Sequence, residues 1–105
     1  MFCGHSKLKH CSLVTLAGHC ETISIEEFNA VMHEAMDKSN VIIVQMTCVT
    51  HICPGFSRAL DDIAAECKVR KIDLILAEVP AKVQTEINTA GYTIKPSAIH
   101  AIGNL

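Results

Sequence analysis

A chain of 105 residues, with nine Lys and Arg against eleven Asp and Glu, reads as one small domain of formal net charge −2. Half of it is apolar, Trp is absent and Tyr occurs once. This excludes a disordered chain and leaves neither the basic footprint nor the aromatic platforms of a nucleic-acid binder. No apolar run approaches the roughly 20 residues of a membrane span, so no membrane insertion and a cytoplasmic location are expected.

Residues 1–6 read as a short strand. A hairpin through residues 7–10 would pair it with a clearer strand at residues 12–17 (SLVTLA), closed by Gly18. The same region mimics an export signal, because Lys7, Lys9 and His10 precede an apolar stretch and Leu16-Ala17-Gly18 looks like a lipoprotein cleavage site. His19 separates that motif from Cys20, and the apolar run is only about eight residues, so the strand is the better reading. Ser24 followed by Glu27 spells a capping box. Ile25, Phe28, Met32 and Ala35 then recur at helical spacing to about Lys38, before a break at Ser39-Asn40.

Residues 41–46 (VIIVQM) form an apolar, β-branched run expected to be a buried strand. A Cys-Pro-Gly loop follows, and a second helix begins near Pro54, where proline suits the first turn. Phe56, Ala59, Leu60, Ile63, Ala64 and Cys67 make its apolar stripe, while Asp61, Asp62 and Glu66 face water. Lys68, Arg70 and Lys71 complement the dipole at its end. Residues 72–79 are another strand. A third helix is expected from Pro80 to a stop at Gly91, turning Val83, Ile87 and Ala90 inward. Residues 94–102 read as a weak strand or a short helix.

This order gives a single compact α/β domain with a mixed, mostly parallel sheet and three or four helices. The strand–loop–helix–strand unit over residues 41–79 places its loop at the C-terminal edge of the parallel sheet. Ligands and partners usually meet α/β proteins there.

Chemistry-bearing motifs are few. There is no phosphate-binding glycine fingerprint, no Ser/His/Asp arrangement and no pair of catalytic carboxylates. The expectation is a non-catalytic module without cofactor. Six Cys read as reduced thiols serving as small apolar residues, with Cys48, Cys53 and Cys67 in or beside core elements. No metal site is expected. Cys3-x-His5, His10-Cys11, His19-Cys20 and His51-x-Cys53 are the available pairs, neighbours on a strand point to opposite faces, and no C-x₂-C pair exists. Cys53 stands out, since a helix N-terminus and a neighbouring His51 both favour its thiolate.

Two families share parts of this pattern. From Ser12 onward the chain resembles the STAS domain, the family of anti-sigma factor antagonists and of sulfate-transporter tails. LVTLAG is similar to the strand ending in Leu-x-Gly, ISIEEFNAVMHEAM to the first helix, and LILAEVPAKVQTEINTAGY to the later strand, turn and helix. VIIVQMTCVTHIC aligns without a gap onto the strand leading to the family's Asp-Ser-x-Gly loop. That alignment puts Cys53 at the loop Asp and Pro54 at the phosphorylatable Ser, with Gly55 shifted by one, which implies that the phosphorylation switch is missing.

The thioredoxin fold is the competing resemblance. LDDIAAE is similar to the helix after its redox motif, Thr50-His51-Ile52-Cys53 falls where Cys-x-x-Cys belongs, and Pro96-Ser97 falls near its cis-proline. It would imply a monothiol redox protein using Cys53. The STAS resemblance spans more of the chain. It implies a regulatory module whose binding loop is His51, Ile52, Cys53, Pro54, Gly55, Phe56 and Ser57. A protein is the expected partner, a small anion at the helix N-terminus a further ligand, and self-association through an edge strand a further option.

Overall fold

Val41, Ile42, Ile43 and Val44 are apolar on both sides of a strand, and such a strand must lie at the middle of a sheet covered on both faces. In the computed structural model, which describes residues 1–103, this strand is β3 (Val41–Ile52) and it is central. It pairs in parallel with β2 (Ser12–Cys20) and with β4 (Asp73–Ala77). β1 (Phe2–Lys7) pairs antiparallel with β2, and β5 (Thr93–Lys95) pairs parallel with β4, so the sheet order is β1-β2-β3-β4-β5. α1 (Ile25–Lys38) and α2 (Pro54–Val69) cover one face. Their contact centres on Phe28 and Phe56, fully buried, with ring centroids 4.7 Å apart and tilted by 46°. α4 (Ala98–Gly103) covers part of the other face, where Ala98 and Ala101 close over Cys11, Ile43 and Ala77.

Two register shifts between β2 and β3 decide which residues face inward. Thr15 pairs with Gln45 but Ala17 with Cys48, and Gly18 pairs with Val49 but His19 with His51. Each shift adds one residue to β3, and an extra residue flips the following side chains to the other face. Strict alternation from Ile42, Val44 and Met46 would bury Cys48. The first bulge exposes Cys48 and buries Val49 instead. The second returns Ile52 to the core and leaves His51 half-exposed. Gly18 lies at the second shift with φ +84°, a conformation that only glycine adopts freely. Cys48 is therefore a surface thiol, contrary to its expected place in the core.

Three other expectations change locally. The capping box does not form: Thr22–Ser24 is a 3₁₀ turn, and Ser24 already has helical angles with no side-chain cap bond. A capping serine needs an extended backbone, which the preceding turn denies it. The third helix is only α3 (Ala81–Gln84), followed by a separate 3₁₀ turn at Thr89–Gly91. Past Gln84 the backbone tightens, with the amides of Thr85 and Glu86 donating to the carbonyls of Lys82 and Val83, and the Thr85 hydroxyl also bonds the Lys82 carbonyl at 2.6 Å. Thr85, Ile87, Asn88 and Thr89 are weak helix formers, and short polar side chains compete for backbone partners. Val83 and Ile87 are still buried, but Ala90 is exposed. The C-terminal segment holds both a strand, β5, and a short helix, α4.

α2 ends in a Schellman arrangement. The Ile72 amide bonds the Cys67 carbonyl at 2.8 Å and the Lys71 amide the Lys68 carbonyl at 3.2 Å, with Lys71 left-handed at φ 58°. Ile72 is thereby turned into the core and starts the chain toward β4.

Two contacts on the outside join α1 to α2. Arg70 donates to Asp37 at 2.9 Å, and His33 sits 3.0 Å from the Glu66 carboxylate. That carboxylate, helped by the Asn29 carbonyl, holds His33 protonated above the usual imidazole range, and His33 in turn holds Glu66 below the usual carboxylate range. The raised group contributes below its ordinary pKa and stops contributing as pH rises through the raised value. The lowered group contributes above its ordinary pKa and stops as pH falls through the lowered value. The clasp thus works between the two. His33→Ala should reduce the urea midpoint slightly near pH ~6 and leave it unchanged near pH ~9, since exposed pairs contribute little; equal losses at both would rule out the charge. Phe28→Ala should cost about 3–5 kcal/mol in the same measurement.

Candidate functional site

β2 and β3 end side by side, with Cys20 opposite Ile52. The ladder continues one rung further: the Cys53 amide donates to the Cys20 carbonyl at 3.0 Å. Cys53 is extended (φ −74°, ψ 159°), and Pro54 then starts α2 with its φ already suited to a helix. Cys53 is the N-cap of α2. Its Sγ accepts from the Phe56 amide at 3.4 Å, where a serine, threonine or aspartate oxygen usually sits.

The cap sets the thiol's chemistry. The Phe56 amide is the main influence lowering the Cys53 pKa; partial burial opposes it, and the Thr22 hydroxyl (3.7 Å away) and the Gly55 amide assist it. The positive end of the helix thus favours a thiolate. Gly55 keeps this fit relaxed, because a Cβ there would lie 3.2 Å from the Thr22 hydroxyl oxygen, which would have to give by a few tenths of an ångström.

His51 does not face Cys53, despite the sequence spacing. Its Nδ1 contacts the Glu86 carboxylate, and its ring centroid lies 6.0 Å from that of His19. Glu86 also accepts from the Ile52 amide at 3.2 Å, which ties the turn after α3 to the end of β3. Within the expected loop, Ile52 and Phe56 are core residues that fix its path. Pro54 is exposed, and His51, Cys53, Gly55 and Ser57 are half-exposed. The surface continues over Arg58, Asp61 and Asp62, all exposed.

An open depression of about 530 Å³ lies between Ser57, Arg58 and Asp61 on α2 and Thr85 and Glu86 beyond α3. Tyr92 donates to Asp61 at 2.5 Å next to it, and burial with that carboxylate pushes the phenol pKa up. Another depression, about 550 Å³, lies at the opposite end of the sheet around Lys7, Lys9, Lys38 and Arg70. Its size is comparable, but Lys38 and Arg70 stand at the C-terminal ends of α1 and α2, where they offset the helix dipoles and pair with Glu34 and Asp37.

The first-turn donors of α2 leave little for an external anion. Pro54 has no N–H, the Gly55 and Phe56 amides serve the Cys53 sulfur, and the Ser57 amide bonds the Cys53 carbonyl. Among the described residues, no group of three or more His, Cys, Asp or Glu is placed to hold a metal ion. No described helix is long and apolar enough to cross a membrane.

Thr22 and Glu86 join the site without a local sequence signal, and His19 and Cys20, legible only as a metal-type pair, join it too. Thr22 and Cys20 arrive because β2 runs parallel to β3, and Glu86 because the third helix stops early.

No family model matches the chain, and no curated protein matches it in sequence. Solved structures do match over nearly its whole length. The anti-sigma factor antagonist SpoIIAA in its unphosphorylated form aligns with a TM-score of 0.80 at 11% identity, covering 98% of this chain and 96% of that one. The Bacillus cell fate determinant SpoIIAA in the phosphorylated form aligns with a TM-score of 0.77 at 13% identity, covering 98% of each. The chain therefore has the SpoIIAA, or STAS, fold. The thioredoxin alternative finds no support in these matches.

The cap geometry makes a direct prediction. In a Cys48→Ser background, a mild alkylator should label native Cys53 near neutral pH, while buried Cys11, Cys20 and Cys67, whose burial pushes their thiols up, label only after denaturation. A Cys53 that stays unlabelled until the protein unfolds would contradict an accessible, thiolate-favouring cap.

Proposed function

We propose that this protein is a cytoplasmic regulatory module of the anti-sigma-antagonist type that works by binding a protein and lacks a phosphorylation switch at its binding loop. The observation that carries the reading is the full-length match to SpoIIAA in both its forms, joined to the exposed strand–helix junction at residues 51–57. The contact surface is that junction together with Arg58, Asp61 and Asp62 on the outer side of α2. An anti-sigma factor is the kind of partner the SpoIIAA likeness suggests. A small anion is the weaker ligand, because the chain's own sulfur occupies the helix N-terminus.

The resemblance of the sequence to the STAS family implies that Pro54 stands at the position of its phosphorylatable serine. Phosphate there would add about −1.5 to −2 charge at the start of a helix. Proline has no hydroxyl, and its ring fixes the loop at φ near −65°, so the surface is constitutive.

Calorimetric titration against the anti-sigma factors encoded in the same genome should find one that binds, with binding lost in Arg58→Glu. Binding to none of them would reject the reading. A serine kinase of that class should leave the loop unmodified; stoichiometric phosphate on Ser57 that abolishes binding would show a switch displaced by three residues. Pro54→Ser should fold, at a cost of about 0.4–1 kcal/mol from regained freedom of the unfolded chain.

A further inference from the structure

We propose that Cys20 and Cys53 form a regulatory disulfide pair, in which a hydroperoxide oxidises Cys53 and Cys20 closes the bond. The two residues end neighbouring strands, and the 3.0 Å hydrogen bond from the Cys53 amide to the Cys20 carbonyl joins their backbones. Bond lengths then hold the two α-carbons within about 7 Å, the limit for bridging without backbone movement. Cys53 is half-exposed and reachable by a small oxidant. Cys20 is fully buried behind it, its thiol has no hydrogen-bond partner among the described residues, and it is near enough to feel the charge on Cys53. Cys3, on β1, lies on the far side of Cys20 and is half-buried. An outer thiol that favours its thiolate, backed by an inner thiol held from solvent, is an attacking and resolving arrangement.

The chemistry balances with a hydroperoxide as the only co-reactant. The Cys53 thiolate attacks one peroxide oxygen, the O–O bond breaks, and water or an alcohol leaves after taking up a proton. Cys53 becomes a sulfenic acid, oxidised by two electrons, and the peroxide is reduced by the same two. The Cys20 sulfur then attacks the Cys53 sulfur, the S–O bond breaks, and the hydroxyl leaves as water with the Cys20 proton.

Bond formation draws the Cys53 sulfur away from the Phe56 amide and the Thr22 hydroxyl. α2 loses its cap, and the loop carrying Pro54 and Ser57 is redrawn. Oxidation would thus act on the junction proposed as the binding surface. This consequence rests on the proposed binding surface; the disulfide itself does not.

The test is chemical and needs no partner. Full-length protein carrying Cys48→Ser is treated with hydrogen peroxide in the presence of dimedone and digested without reduction. The expected product is a Cys20–Cys53 cross-linked peptide, with loss of two hydrogens and no lasting dimedone adduct. Cys20→Ala should convert most chains to the Cys53 adduct, and Cys20→Ser serves if the alanine variant folds poorly. Equal adduct in the parent and the Cys20 variant overturns the proposal. So does a bond from Cys53 to Cys3, or a Cys53 that remains a thiol.

Discussion

The parallel ladder between β2 and β3 is the constraint on which the rest depends. It runs from Ser12 opposite Ile42 to Cys20 opposite Ile52, and its last hydrogen bond reaches past both strands to Cys53. Because the strands run the same way, their C-terminal ends emerge together, and the chain must leave one of them straight into α2. Phe56 then falls onto Phe28, and the helix cannot shift without opening that contact. The exposed junction is held both by the core beneath it and by its own bonds to Cys20 and Glu86.

At the end of this ladder a thiol stands where a side-chain oxygen usually caps the helix. A cap side chain must lie close to the first turn of the helix and, here, close to the end of the neighbouring strand. Cys53 accepts from the Phe56 amide at the helix start and shares a hydrogen bond with the Thr22 hydroxyl of the preceding connection. Replacing an acidic or hydroxyl residue by a thiol keeps the cap weakly bonded and chemically convertible. Pro54 beside it removes an amide that would otherwise need a partner.

Much of this architecture was legible in the sequence because it follows from periodicity. The apolar run at Val41–Val44 marked the central strand, and the stripe from Phe56 to Cys67 marked the helix packed on it. Where the reading failed, a long-range contact had overruled a local one. Cys48 is exposed because β3 carries an extra residue that strand alternation cannot reveal. The helix expected to Gly91 stops at Gln84, where the Thr85 hydroxyl takes the Lys82 carbonyl and Glu86 is drawn to the Ile52 amide of β3. Ser24 was the obvious cap for α1, yet the 3₁₀ turn before it removed the extended backbone that capping requires. The strand–helix junction was legible, but the contacts beside it were not: His51 turned to Glu86, 35 positions later, instead of to Cys53 two positions later.

The central claim is that the junction at residues 51–57 and the outer side of α2 form one protein-binding surface. Amide chemical shifts followed while an anti-sigma factor is titrated into labelled protein test this most directly. The account predicts that the perturbed amides cluster at His51, Cys53, Gly55, Ser57, Arg58 and Asp61. Perturbations centred on α4, or on the cationic end around Lys7 and Arg70, would contradict it.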